Sequence, residues 1–153
     1  MSAWAPRDAA YDARVRASFA RQALMTTIGA TLVRVAPGEV DIDLPFREDL
    51  TQQHGFLHGG IVTAIADSAC GYAALSLLPP EAAVLTVEYK VNLLAPARGA
   101  RLLARGRVLR PGRTLTVCRA DVAALDDGAE RLVATMLATI MAVRDRPDVA
   151  AGL

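Results

Sequence analysis

A chain of 153 residues suits one domain with one hydrophobic core and leaves little room for a second. Hydrophobic residues make up 53% of it, which excludes a disordered polypeptide. With 17 basic and 16 acidic side chains the formal charge is +1, so there is no electrostatic case for nucleic acid or an anionic membrane surface.

The first residues, Met1 to Pro6, lead into Arg7, Asp8 and Asp12 rather than a signal-peptide apolar core. Asp67 interrupts the best apolar run, so no stretch of about 20 uncharged apolar residues exists for a membrane span. The expectation is a soluble, cytoplasmic protein. Residues 8–24 read as one amphipathic helix. Tyr11, Val15, Phe19 and Ala23 recur every four residues, while Arg14, Arg16 and Arg21 take other faces. Asp8 is placed to cap it.

A strand is expected over 28–35, broken by the turn pair Pro37-Gly38. Val40, Ile42 and Leu44 then alternate with Glu39, Asp41 and Asp43, a half-buried strand that Pro45 ends and that completes a hairpin. The run 58–78 is rich in Ala, Ile and Leu and stops at Pro79-Pro80. Its length makes it the principal helix rather than a strand. In the strand expected over 84–94, Leu85, Val87, Tyr89, Val91 and Leu93 share one face. Thr86, Glu88, Lys90 and Asn92 share the other. Strands over 101–110 and 114–123 flank Pro111-Gly112. A last strand over 132–143, whose alanines leave a helix open, follows the turn Asp126-Asp127-Gly128. The result is an α+β architecture, an antiparallel sheet wrapped around one long apolar helix with an extra N-terminal helix. Residues 1–25 read as a helical extension, 26–145 as the domain and 146–153 as a tail.

Cys70 and Cys118 lie far apart among apolar neighbours and read as buried free thiols. Two histidines and no clustered cysteines give no metal site, and no cofactor is called for. The chemistry concentrates in Gln52-Gln53-His54-Gly55-Phe56-Leu57-His58-Gly59-Gly60 and the helix that follows. A glycine pair opening a helix permits close approach to backbone N–H groups that lack intrahelical partners and carry the positive dipole end. Such a site can hold an oxygen that becomes anionic during acyl transfer, or it can be a plain loop-to-helix turn.

Asp67 sits deep in that apolar helix, where an unpaired carboxylate is costly. Its face carries Thr63, Ala64, Cys70 and Gly71, with Gly60 and Ala74 one turn further, all small. Ile61, Ile65 and Tyr72 lie elsewhere on the wheel. The carboxylate therefore faces a hollow, filled either by a second helix or by substrate. His58 and Asp67 are nine residues apart, about 13.5 Å of helical rise and nearly opposite azimuth. If both act, two protomers must share the site across a two-fold axis.

The ordered set Gln52-x-x-Gly55-x-x-His58-Gly59-Gly60 with Asp67 resembles the phenylacetate-degradation (PaaI-like) branch of hotdog-fold acyl-CoA thioesterases. The resemblance continues through Thr86, Pro96 and the Arg110-Pro-Gly-Arg113 hairpin, covering approximately 26–143. It implies that the Gly59 N–H polarises the thioester carbonyl and that Asp67 of a partner chain is the catalytic carboxylate. Gln52 would help place the carbonyl or the water, with His58 in support. Thr86 would orient water or else be an ordinary strand threonine. The resemblance also implies homodimers that pair into tetramers. Arg110, Gly112 and Arg113 are candidate contacts to the CoA phosphates, or a solvated hairpin tip.

A helix N-terminus plus one buried carboxylate supplies what thioester hydrolysis needs: an electrophilic cradle and a base or nucleophile. Ser68 and Ser76 lack a G-x-S-x-G setting for a serine triad. Two other classes share the scaffold. A non-catalytic acyl-CoA-binding module has no need of a buried acid. A hydratase would carry a histidine shortly after the acid, where Gly71, Tyr72 and Ala73 stand.

Overall fold

The computed structural model describes residues 3–145; the tail expected over 146–153 lies outside them. Helix α1 (Tyr11–Arg21) and helix α2 (Ala23–Ile28) replace the single helix expected over 8–24. The chain leaves helical geometry at Gln22, whose ψ is 95°. The four-residue stripe serves the core only through Val15 and Phe19, while Ala23 is exposed. Turning at Gln22 lets a second apolar pair, Met25 and Ile28, reach the same core. Asp8 does not hold the cap position of α1, which belongs to Ala10. It accepts from the Ala10 N–H at 2.9 Å and pairs with Arg14 at 3.0 Å.

Ile28 closes α2 rather than opening a strand, because Gly29 ends the helix in the left-handed region (φ 79°). Strands β1 (Thr31–Ala36) and β2 (Glu39–Pro45) then form the expected hairpin. The half-buried reading of β2 is corrected: Val40, Ile42 and Leu44 are fully buried, but Asp41 and Asp43 are buried too. Strand β2 has neighbours on both edges, and arginines from the adjacent strand cover its acids. Arg107 meets Asp41 at 2.6 Å and Arg101 meets Asp43 at 3.3 Å.

The central helix α3 (Gly59–Leu75) is followed by β3 (Ala83–Leu93), β4 (Arg101–Arg110), β5 (Leu115–Asp126) and β6 (Ala129–Val143). The last segment is a strand. Asp127 and Gly128, both at positive φ (45° and 80°), make the tight turn that returns the chain alongside β5. The six strands lie in the order β1-β2-β4-β5-β6-β3, all neighbours antiparallel. Helix α3 packs across β2 to β6, and this is the expected sheet wrapped around one helix. Gly106 on β4 allows the closest approach: a Cβ there would stand 2.3 Å from the Ala69 carbonyl oxygen.

One irregularity reorients a candidate residue. The register of β3 against β6 slips between Thr86 and Glu88, a β-bulge at Val87. Before the bulge Thr86 pairs with Ile140. After it Tyr89, Val91 and Leu93 pair with Ala138, Met136 and Ala134. Ile140, Ala138, Met136 and Ala134 are all buried on the inner side of β6, so Thr86 shares the helix-facing side with Tyr89, Val91 and Leu93. Strict alternation had placed Thr86 with Glu88, Lys90 and Asn92. The extra residue at 87 reverses that.

Candidate active site

The loop into α3 is pinned by its backbone. The Leu57 N–H donates to the Ala97 carbonyl at 3.0 Å and the His58 N–H to the Leu50 carbonyl at 2.9 Å. Gly55 takes φ 81°, which a side chain resists, and its N–H donates to the Gln52 carbonyl at 3.0 Å. His58 is the N-cap residue: its Nδ1 accepts from the Gly60 N–H at 2.8 Å. The ring therefore spends Nδ1 on the helix start and keeps its proton on Nε2 when neutral. The Gly59 N–H has no acceptor among the described residues, so the first donor of α3 is free. It borders a largely apolar cavity of about 430 Å³ lined by Gln52, Phe56, Val62, Leu93, Pro96 and Val133, among others. Leu93 lies over Gly59, where a Cβ would come within 2.7 Å of its Cδ1. Gln52 has turned its Oε1 to the His54 N–H, leaving its amide N–H groups uncommitted among the described residues.

Asp67 opens on a different cavity, of about 520 Å³. The Thr86 hydroxyl donates to its Oδ1 at 2.8 Å, a contact that the bulge at Val87 makes available. Its Oδ2 has no partner among the described residues. Burial raises the carboxyl above the usual carboxylate range, and the Thr86 hydroxyl partly offsets this by stabilising the anion. The hollow inferred from the small residues exists, but its walls differ from the helical-wheel expectation. Cys70 is fully buried in the core and its thiol is pushed far up by desolvation, whereas Tyr72 lines the cavity beside Gly71. Cys118 is likewise buried, its thiol pushed up to about 12.

The rest of that wall comes mainly from residues the motif does not include: Arg14, Ser18 and Arg21 on α1, Gln22 at its junction with α2, and Pro80, Ala82, Ala83 and Val84 after α3. Arg14 is not solvated like Arg16. Its guanidinium donates to the carbonyls of Leu75, Leu78, Pro79 and Ala82 at 2.6–3.2 Å, satisfying the end of α3. An arginine in a helix with an acid six residues before it gives no sequence signal of such a role.

Gly59 and Asp67 lie eight residues apart on one helix, about 12 Å of rise, and their cavities have no lining residue in common. Within one chain the structure thus brings Gln52, His58 and Gly59 together, and Asp67 with Thr86, but keeps the two groups apart. Gly112 and Arg113 lie with Arg7, Leu77 and Leu78 beyond the C-terminal end of α3. Arg110 closes β4 just before that turn. Among the described residues no group of three His, Cys, Asp or Glu is placed to hold a metal, and no helix is long and apolar enough to cross a membrane.

A partly buried carboxylate in one hollow and a free helix-start N–H in another are kinds of group that acyl transfer can use. The family described as the thioesterase superfamily matches residues 54–130, a span holding Gly59, Asp67 and Thr86. A crystal structure of a thioesterase family protein from Silicibacter pomeroyi is 57% identical, covering 88% of this chain and 98% of that one, with a TM-score of 0.86. A 1,4-dihydroxy-2-naphthoyl-CoA hydrolase of Listeria monocytogenes is 27% identical over 80% of this chain and 98% of its own length. The PaaI protein of E. coli, at 18% identity over 87% of this chain and 93% of its own, shares the fold with a TM-score of 0.78. The protein belongs to the thioesterase superfamily and has the hotdog fold. It is a thioester hydrolase. Helices α1 and α2 lie outside the matched residues.

Proposed function

We propose that the protein hydrolyses the thioester of an aryl- or alkyl-acyl-CoA to the free acid and CoA. The observation that carries this reading is the Asp67 carboxylate, held by Thr86 in a cavity where burial raises its proton affinity toward that of a working base. The free Gly59 N–H, at the positive end of α3, receives the carbonyl oxygen as it gains charge. Gln52 directs an amide N–H toward the carbonyl or the water, and His58 holds the helix start. Each site draws Gln52, His58 and Gly59 from one chain and Asp67 with Thr86 from its partner in a two-fold dimer. Two such dimers pair into a tetramer.

In the base route Asp67 takes a proton from water while the water oxygen bonds to the carbonyl carbon. The C–S bond then breaks, and the CoA thiolate leaves with that proton. In the nucleophilic route the carboxylate itself bonds to the carbonyl carbon, the C–S bond breaks and CoA leaves as the thiolate. Water then hydrolyses the anhydride to the free acid and the Asp67 carboxylate, and the proton it releases goes to the thiolate. Hydroxylamine traps the anhydride in a single turnover only if the second route operates. A thiol-release assay from acetyl through long-chain, phenylacetyl and hydroxylated aryl esters of CoA tests the activity. Saturable binding without thiol release across the panel would instead make this a binding module.

Arg110 and Arg113, on the backbone turn at Gly112, meet the CoA phosphates in this reading, contributed by the chain that supplies Asp67. Replacing both is expected to raise KM with little change in kcat, because the phosphates are remote from the reacting carbon. An unchanged KM at low ionic strength would remove them from the site.

A further inference from the structure

The wall of the Asp67 cavity furnished by the N-terminal helices is polar where a pocket for a plain hydrocarbon tail would be apolar. Ser18 donates its hydroxyl to the Tyr72 hydroxyl at 3.4 Å, and Ser68 donates to the Gln22 side-chain oxygen at 3.2 Å. Two arginines border the same cavity. Arg14 is consumed by Asp8 and by four carbonyls at and after the end of α3. Arg21 has no carboxylate partner among the described residues, and its single hydrogen bond goes to the Ala17 carbonyl of its own helix at 3.2 Å. Its charge lies close enough to the Tyr72 hydroxyl to act against the effect of that group's burial. A hydrocarbon tail entering here would strip water from a cation and four polar side chains without replacing their hydrogen bonds.

We propose that the enzyme prefers acyl groups with a carboxylate at the end remote from the thioester, received by Arg21 with Ser18, Gln22 and Tyr72 beside it. The inference rests on Asp67 and its cavity being the hydrolytic site. A carboxylate suits this wall because it accepts from guanidinium, hydroxyl and amide donors together. It also gives Arg21 the countercharge it lacks. Arg21, Ser18 and Gln22 precede the part matched to the superfamily, whereas Tyr72 stands on α3 with Asp67, so the charge that selects the acyl tail comes from outside the matched residues.

The test is kcat/KM on chain-matched substrates at low ionic strength: hexanoyl-CoA, 6-hydroxyhexanoyl-CoA and adipoyl-CoA. Adipoyl-CoA is expected to exceed hexanoyl-CoA by about tenfold, the modest factor appropriate to a cation still partly in water. Arg21→Gln is expected to reduce that ratio to about one, and Arg21→Lys to restore part of it. Arg21 is exposed on α1, so these variants fold. Equal rates for adipoyl and hexanoyl esters overturn the inference while leaving the hydrolase reading intact. So does a ratio unchanged by Arg21→Gln, or a uniform loss on all three esters, which would place Arg21 on the CoA phosphates. Equal preference for the hydroxy and carboxy esters overturns the charge argument. Absence of turnover on every ester, hexanoyl-CoA included, defeats the hydrolase reading and this inference with it.

Discussion

In the proposed mechanism Asp67 sets stability against catalysis at a single residue. Because burial raises its carboxyl, the folded state binds that proton more tightly than the unfolded chain does. The stability linked to this group is therefore fully present below the ordinary carboxylate pKa and is lost as pH rises through the raised folded value. The cost therefore grows as pH rises from the acid range toward neutrality. Asp67→Asn keeps an acceptor for Thr86 and removes the charge, so its Tm is expected to exceed that of the natural protein at pH 7. The difference should shrink on acidification. The same change is expected to cut turnover by about a hundredfold or more, the scale of a lost acid–base group. Wild-type turnover in a purified, folded Asp67→Asn protein would remove the carboxylate from the mechanism. Thr86 tunes the same group. Its hydroxyl lowers the Asp67 pKa, so Thr86→Val is expected to move the acidic limb of the kcat/KM profile to higher pH, with Thr86→Ser staying near the natural position. A limb that stays put in the valine variant would separate Thr86 from the acid. The hollow facing Asp67 was legible from the small residues around it. Its walls were not, because a helical wheel records azimuth on α3 and knows nothing of the α1 residues that come to rest against Tyr72.

Elements show the same division between local pattern and packing. The alternation of Val40, Ile42 and Leu44, the turns at Gly38 and Gly128, and the presence of one long helix opening at the glycine pair follow from periodicity and turn chemistry and could be read in advance, although α3 ends at Leu75 rather than at Leu78. What failed depended on partners. Gln22 breaks the N-terminal helix because both Val15 and Met25 must reach one core. Thr86 changes face because β3 carries one residue more than β6 opposite it. Arg14, grouped by spacing with surface arginines, is turned inward because the Leu75 carbonyl at the end of α3 and three carbonyls in the segment after it need donors. That last contact fixes the N-terminal helices over the Asp67 cavity. Arg14→Met keeps the aliphatic stem but removes the donors, and is expected to destabilise the fold by about 2–3 kcal/mol, the range for hydrogen bonds to a charged group. In urea this should lower the midpoint at unchanged slope. A midpoint equal to that of the natural protein would mean that water satisfies those carbonyls equally well.

At the scale of the whole molecule, the proposed mechanism makes assembly a catalytic requirement. The Gly59 N–H and the Asp67 carboxylate are separated along one rigid helix by about 12 Å, open on different cavities and cannot both reach one carbonyl carbon. A two-fold axis that lays two α3 helices side by side in opposite directions carries each Asp67 toward the other chain's Gly59. Strand β3 offers a surface for that meeting. It is an edge strand with Leu85, Val87, Tyr89 and Leu93 exposed, and Leu93 already covers Gly59. The decisive experiment mixes two dead proteins, Asp67→Asn and a Gly59 substitution that spoils the donor, after dissociation and reassociation. A mixed dimer then has one site with both groups intact and one site with both lesions. Equal amounts give about half the dimers mixed, each with one working site of two, so roughly a quarter of natural activity should return. With subunit exchange verified by a mass tag, activity that stays at the level of the parents would mean that each chain hydrolyses its thioester alone, and the shared site would have to be abandoned.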